Sequence, residues 1–418
     1  MPQIRPALLA LAMVALLVAG PMAGALARPG TAGPAAEAAV APAPDAPPQS
    51  LVAANPNATN YLDVEKDEVR RADYGTASLD VVAAVEMDVE QWRGKYSTYA
   101  FEASYDNVTG QAARTERLRA EVDRLESRVR NLERRYRRAV ANYNAGQIST
   151  ERFLRKLAVL DAAVDTVTQQ FENVRRAGGF GLLEELETRL RSLEPKLLTL
   201  QGQVRGNVGR AMTGQRQPMS VYALTSDTGI VLSTTDGAVF NRSAYLAENR
   251  EPVGPDRFVT EEDPSGITAA NDRARELYPW TYANGRPSVN VPFRTTSVYR
   301  VSLDHAHGVL EAYLDGTTRD VFREFQTKRT PVIPTETTTN TTDALSLRVN
   351  RTYGTGPMEV TVTDPATGEP VDATIEINGY RVGSTGGDGR LWTVTPHDAV
   401  RITARADGEI VRVRFFAE

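Results

Sequence analysis

The 418-residue chain contains no cysteine, three histidines and three tryptophans. The missing thiols exclude disulfides, thiolate zinc sites, iron–sulfur clusters, a cysteine nucleophile and a lipid-bearing cysteine anchor. Three histidines leave little material for a His-based triad or metal cluster. Lysine is scarce too. It occurs at Lys66, Lys95, Lys156, Lys196 and Lys328, and arginine supplies the rest of the 48 basic residues. Arginine is more weakly hydrated than lysine and pairs bidentately with carboxylates. Such a ratio suits a GC-rich genome or a high-salt setting. A net charge of −5 gives no global basic field for nucleic acid. The sequence also lacks a G-x-S-x-G elbow, a Walker loop, an H-E-x-x-H pair and a dinucleotide fingerprint.

What is present begins with an export pattern. Arg5 precedes an apolar run, Ala7 to Gly20, and Ala25-Leu26-Ala27 forms an A-x-A cleavage motif. Residues 1–27 are therefore expected to be a signal peptide, with membrane contact only through this segment if it stays uncleaved. Five N-x-[ST] sequons follow, at Asn57, Asn107, Asn241, Asn340 and Asn350. With a signal ahead of them, they are glycosylation candidates on a secreted or cell-surface protein. Residues 28–60 are rich in Ala and Pro and cannot bury enough apolar surface to offset ordering entropy, so they are expected to be a linker.

Helical periodicity dominates the next region. Val82, Val85, Val89, Trp92, Tyr96 and Tyr99 alternate at spacings of three and four. So do Leu118, Val122, Leu125, Val129, Leu132, Tyr136, Ala139 and Tyr143, and then Phe153, Leu157, Leu160, Val164, Val167, Phe171 and Val174. A fourth set runs from Leu183 through Leu186, Leu190, Leu193, Leu197 and Leu200 to Val204, with Pro195 expected to kink it or mark a first turn. Alternating 3–4 spacing is the pattern of coiled-coil seams. Asn144-Ala145-Gly146 and Gly178-Gly179 break the helices, and Ser149 or Thr150 can cap the third. Residues 61–212 are thus expected to be an all-α bundle or antiparallel coiled coil, its stripes mostly internal core, with one face available for a homo-oligomer. The arginines of the second segment are expected to be a solvated face paired with acids, Glu184, Glu185 and Glu187 among them.

Near Pro218 the pattern changes to strands. Val221–Leu224 and Ile230–Leu232 read as one hairpin, and Val298–Leu303 and Val309–Leu314 as a second across Asp304–Gly308. A helix is expected from Asp263 to Tyr278. Together these predict an α+β domain over 218–328. Its helix, hairpin and Asp315-Gly316 turn resemble a PepSY-like module across 265–326, some members of which act as peptidase propeptides or inhibitors. A Thr/Pro linker is expected over 329–344. Strands at Leu345–Val349, Met358–Thr363, Ala373–Ile377, Leu391–Val394, Val400–Ala404 and Ile410–Phe415 then predict an all-β sandwich over 345–418. The run from Val360 to Val371, with Thr374–Gly379 and Thr385–Arg390, resembles the carboxypeptidase regulatory-like (transthyretin- or Ig-like) sandwich. The whole layout is similar to uncharacterised haloarchaeal exported proteins, a resemblance that implies no particular activity.

Candidate chemistry is sparse. His305 and His307 are expected in a solvated turn rather than as metal ligands. Asp388-Gly389 reads as a turn, because the spacing of a dedicated calcium loop is missing. No carboxylate pair stands out among 53 acids. No catalytic residue, metal or cofactor is therefore expected. The expected function is a non-catalytic cell-surface glycoprotein that binds envelope protein or surface polysaccharide, not nucleic acid. The alternative is a secreted regulator of extracellular peptidases acting through 218–328; a hydrolase ranks below both.

Overall fold

The computed structural model describes residues 62–417 apart from 180–181, 294–295 and 334. The expected signal, the spacer 28–60 and Asn57 lie outside the described residues.

A strand opens the described chain where helix was expected. β1 (Arg71–Ala77) is followed by α1 (Val81–Asp106), α2 (Gln111–Asn144), α3 (Thr150–Gly178), α4 (Glu184–Leu198) and α5 (Gln203–Met212). Asp80 caps α1 by accepting from the Ala83 N–H, and Ser149 caps α3 by accepting from Arg152 N–H at 3.3 Å. Contacts fix the helix directions. Asp80 meets Arg155, Thr98 meets Asn173 and Tyr105 meets Ala177, so α1 runs parallel to α3. Arg128 meets Gln170 and Tyr143 meets Thr150, so α2 runs antiparallel to α3. The apolar stripes of α2 and α3 are buried as their spacing requires. Each large aliphatic side chain so buried stabilises the fold by about 1.5–3 kcal/mol.

The stripe of α1 is a correction. Val82, Val85, Val89, Trp92, Tyr96 and Tyr99 are exposed, the last three at 69%, 77% and 69%. The buried side of α1 carries Ala83, Met87, Gly94 and Phe101 instead, together with Glu90, which pairs with Arg135 at 2.9 Å. Small residues win that face because α3 approaches closely: a Cβ on Gly94 would lie 1.7 Å from the Thr166 methyl.

The strand region forms an eight-stranded antiparallel sheet, in the order β1-β2-β3-β4-β8-β7-β6-β5. Its members after β1 are β2 (Met219–Thr225), β3 (Gly229–Asp236), β4 (Val239–Leu246), β5 (Gly285–Asn290), β6 (Val298–His305), β7 (Gly308–Asp315) and β8 (Val321–Arg329). Two helices, α6 (Ile267–Leu277) and α7 (Pro279–Ala283), interrupt it. Strand β2 shows why the run Val221-Tyr222-Ala223-Leu224 is apolar throughout. Val221 and Ala223 pack into the helical core, whereas Tyr222 and Leu224 pack toward the C-terminal strands. A strand covered on both faces has no polar side to alternate. The expected 218–328 domain is therefore not self-contained, since β1 pairs with β2 along its whole length.

The C-terminal sandwich has two four-stranded sheets, β14-β11-β10-β9 and β13-β12-β15-β16. Its strands are β9 (Glu336–Thr341), β10 (Ser346–Arg351), β11 (Pro357–Thr363), β12 (Thr374–Ile377), β13 (Tyr380–Ser384), β14 (Arg390–Val394), β15 (Ala399–Ala406) and β16 (Glu409–Phe416). β9 overturns the expected linker 329–344, which also holds the end of β8 and a 3-10 turn at Thr330–Val332. Its Thr-rich sequence hides it: as an edge strand it pairs through its backbone with β10 while its side chains stay mostly exposed. All described residues fall in one unit, Pro47–Glu418.

Candidate functional site

The first candidate is an open cleft of about 630 Å³ between α3, the α4–α5 junction and strands β7 and β8. Asp161 and Asp165 stand one helical turn apart on α3, facing Gln201, Glu311, Tyr313 and Phe325. The chain can present Gln201 and Gly202 here because α4 ends at Leu198 and α5 begins at Gln203. Asp161 accepts from the Gly202 N–H at 2.9 Å. Burial pushes the Asp161 carboxyl up to about 6, opposed by that N–H and by Arg205, and burial raises Asp165 as well. Glu311 accepts from Arg300 and from the Tyr313 hydroxyl, both at 2.5 Å. Two of the three acids are thus engaged with donors of the fold itself.

The second candidate is the histidine pair, which the structure moves. His305 ends β6 and is buried, and His307 stacks on Trp280 with ring centroids 4.8 Å apart. His305 meets the same indole edge-on at 5.5 Å, and its Nδ1 accepts from the His307 N–H at 3.3 Å. Burial, aided by the Lys328 charge, pushes the His305 imidazole down to about 3. The expected solvated turn is therefore wrong for His305: the hairpin turns at Ala306-His307, one residue beyond the buried ring. Among the described residues no group of three or more His, Asp or Glu could hold a metal ion.

The third feature was invisible in the sequence. Arg242 on β4 and Glu324 on β8 are fully buried and pair at 3.1 Å. Arg242 also donates to the Leu62 carbonyl at 2.6 Å, Asp63 at 3.2 Å and Thr355 Oγ1 at 3.1 Å. Glu324 accepts from Leu62 N–H, Tyr278 Oη and Gln326 Nε2. Lys328 donates to the Tyr353 hydroxyl at 2.8 Å. The network joins the start of the described chain, the sheet, the α6–α7 junction and the loop between β10 and β11. Strand alternation puts Arg242 on the face of Phe240, Ala244 and Leu246; its charge argues for water, and the second layer on the sheet buries it. Around it, Tyr74 and Tyr222 pack at 4.9 Å and Tyr74 donates to the Val394 carbonyl, so the sandwich is clamped to the sheet.

The sequons divide by burial. Asn107 is exposed at the end of α1. Asn340 is exposed on β9, where it donates to the Arg412 carbonyl at 2.8 Å. Asn350 is half-buried and donates to Glu359. Asn241 is buried within β4 against Thr327, and this fold leaves no room for a glycan on it. The acidic helix meets its expected partners in part: Glu185 pairs with Arg119, whereas Glu187 pairs with Arg175 and Arg191. No helix among the described residues is long and apolar enough to cross a membrane.

Comparison with known families covers almost the whole chain. Residues 1–217 match a domain of unknown function (DUF7096), residues 221–334 a family of unknown function (DUF7094), and residues 336–413 an archaeal fibronectin-III type-like domain. The third match starts at the first residue of β9, where the sandwich itself begins. It agrees with the expected Ig-like sandwich and gives it as fibronectin-III type-like, and nothing supports the PepSY-like resemblance of 265–326. No curated protein and no solved structure matches the chain.

Proposed function

The chain belongs to the DUF7096 family, and we propose that it is a non-catalytic, exported surface glycoprotein of an archaeal, in particular haloarchaeal, envelope. One observation carries the reading: the C-terminal sandwich matches an archaeal fibronectin-III type-like domain. Sandwiches of this architecture recur on cell surfaces as recognition modules. The export pattern at residues 1–27 agrees with it, and so does the exposure of Asn107 and Asn340. The sandwich does not swing on a tether. Bonds from Arg242 to Thr355, from Lys328 to Tyr353, from Tyr74 to the Val394 carbonyl and from the His397 N–H to Tyr222 hold it on the sheet, so the domain is presented in a fixed orientation toward envelope protein or surface polysaccharide. Peptidase regulation loses its support with the PepSY-like resemblance.

Fractionation of cells producing the native chain tests this. The expected result is an envelope or medium location, an N-terminus that begins after Ala27 and glycan mass on Asn107 or Asn340 but not on Asn241. An unprocessed protein confined to the cytosol would overturn the reading.

A further inference from the structure

Helix α1 carries two apolar seams on nearly opposite faces. Ala83, Met87, Gly94 and Phe101 are buried, with the ion-paired Glu90 among them, Gly94 against α3 and Met87 near Gly209 of α5. Val82, Val85, Val89, Trp92, Tyr96 and Tyr99 face water. The outer six keep a strict 3–4 alternation over three heptads, the a and d positions of a coiled coil. At roughly 150–250 Å² per aromatic side chain, the three rings offer on the order of 300–500 Å², being about seven-tenths exposed. Adding the valines and Leu79, which is 69% exposed, brings the stripe past the roughly 300–600 Å² of an ordinary monomer's largest patch.

We propose that this stripe is covered by α1 of a second copy of the chain, running antiparallel across a two-fold axis between Glu90 and Gln91. Three properties of the helix select this occupant. The first is size. Antiparallel pairing sets a against d, so Val82 meets Tyr99 of the second copy, Val85 meets Tyr96 and Val89 meets Trp92. The aliphatic half of one stripe therefore receives the aromatic half of the other in every layer. A parallel pair would instead stack valine on valine and ring on ring.

The second is charge. The flanking e positions include Glu86 and Arg93, and the g positions Asp88 and Lys95. Across the two-fold, Glu86 faces Arg93 and Asp88 faces Lys95, each pairing occurring twice, with opposite sign at all four places. The parallel register brings only Asp88 against Arg93. Arg93 is free to turn outward: its side chain is 68% exposed and its contact with Glu90 is a loose 3.6 Å. The third is area. Doubling the stripe across the axis brings it to the scale of the smaller specific interfaces, about 1,200 Å². A groove beside Val85 and Val89, bordered by Arg135 and Arg138, adds room for the incoming Trp92 and Tyr96 rings and cations to lie against them.

Sedimentation equilibrium of the full-length chain is expected to give twice the protomer mass, and Trp92→Glu to give the protomer mass with an unchanged circular dichroism spectrum. Arg93→Glu is expected to weaken the dimer at least tenfold, and Glu86→Arg together with Arg93→Glu to restore it. The cysteine-free chain permits a direct register test. Val85→Cys mixed with Tyr96→Cys is expected to oxidise to a disulfide-linked pair, and neither variant to cross-link alone. A Val85→Cys homodisulfide, or rescue of Arg93→Glu by Asp88→Arg instead of Glu86→Arg, would overturn the antiparallel register. A wild-type chain that stays monomeric across the concentration range overturns self-association. If that monomer sediments with phosphatidylcholine or phosphatidylglycerol vesicles, the stripe belongs to a lipid surface.

Discussion

Arg242 and Glu324 show how a single ion pair can hold several segments. Arg242→Met leaves Glu324 and Asp63 in the interior without their cation. Removing one partner of a buried pair costs about 3–5 kcal/mol, more than a surface pair is worth. Urea titration is expected to show a loss of that order, whereas breaking the exposed Arg70–Asp227 pair, side chains 56% and 66% exposed, should stay within about 1 kcal/mol. Asp161 and His305 make opposite predictions with pH. The folded-state pKa of Asp161 is raised to about 6 by burial. Its stabilising contribution is present in full below the unfolded value of 3.8 and is lost as pH rises through 6. Asp161→Asn is expected to gain on the order of 1–3 kcal/mol over the wild type at pH 8 and little at pH 3.5. His305 is depressed to about 3. Its contribution is present above the unfolded value near 6.5 and falls away as pH drops through 3. His305→Phe keeps the ring against Trp280 and is expected to flatten the acid side of the stability profile. Chemical denaturation at stepped pH checks both.

Among elements, α1 sets helix propensity against packing. Gly94→Ala raises intrinsic helix propensity by about 1 kcal/mol. The added methyl would lie 1.7 Å from the Thr166 methyl, however, and overpacking costs about 1–3 kcal/mol. Because both backbones are held along their length, packing is expected to win, and the midpoint of urea unfolding should fall. The same helix shows what the sequence can and cannot disclose. The heptads of α2 and α3 announced buried helices, and Asn144-Ala145-Gly146 with Ser149 placed the break between them to within a few residues. The heptad of α1 was equally regular, yet its stripe is exposed, because a 3.5-residue repeat says that a face wants a partner and not whether the partner lies in the same chain. β1 is not legible in the sequence because RADYGTA holds few apolar residues, its pairing with β2 being made through the backbone. β9 is hidden for the same reason. The acidic cleft is out of reach as well: Asp161 and Glu311 line one opening only after α3 and β7 come to its opposite sides.

For the whole molecule, the modules that family boundaries separate are physically joined. Tyr74 and Tyr222 share a hydrophobic cluster with Leu347, Val360 and Val400, and Val221 and Ile230 share another with the helices. Unfolding is therefore expected as a single transition, with coincident helix loss by circular dichroism and tryptophan signals from Trp92, Trp280 and Trp392. Separate steps for the sandwich and the helices would count against it. Deleting residues 336–417 is expected to yield an aggregating product, because it uncovers Tyr74, Tyr222, Leu224 and Val231. The pairing of β1 with β2 carries a last consequence, for the order of events at birth. A ribosome delivers Arg71 long before Thr225, its register partner, and Leu62 must wait for Glu324, 262 residues later. Helices α1 to α5 can coil as they emerge, since their intrahelical hydrogen bonds are local and form fast. The strand ahead of them stays unzipped until β2 has followed the helices, so the slow step of maturation is the homecoming of the N-terminal segment to a sheet that is synthesised after the whole helical region.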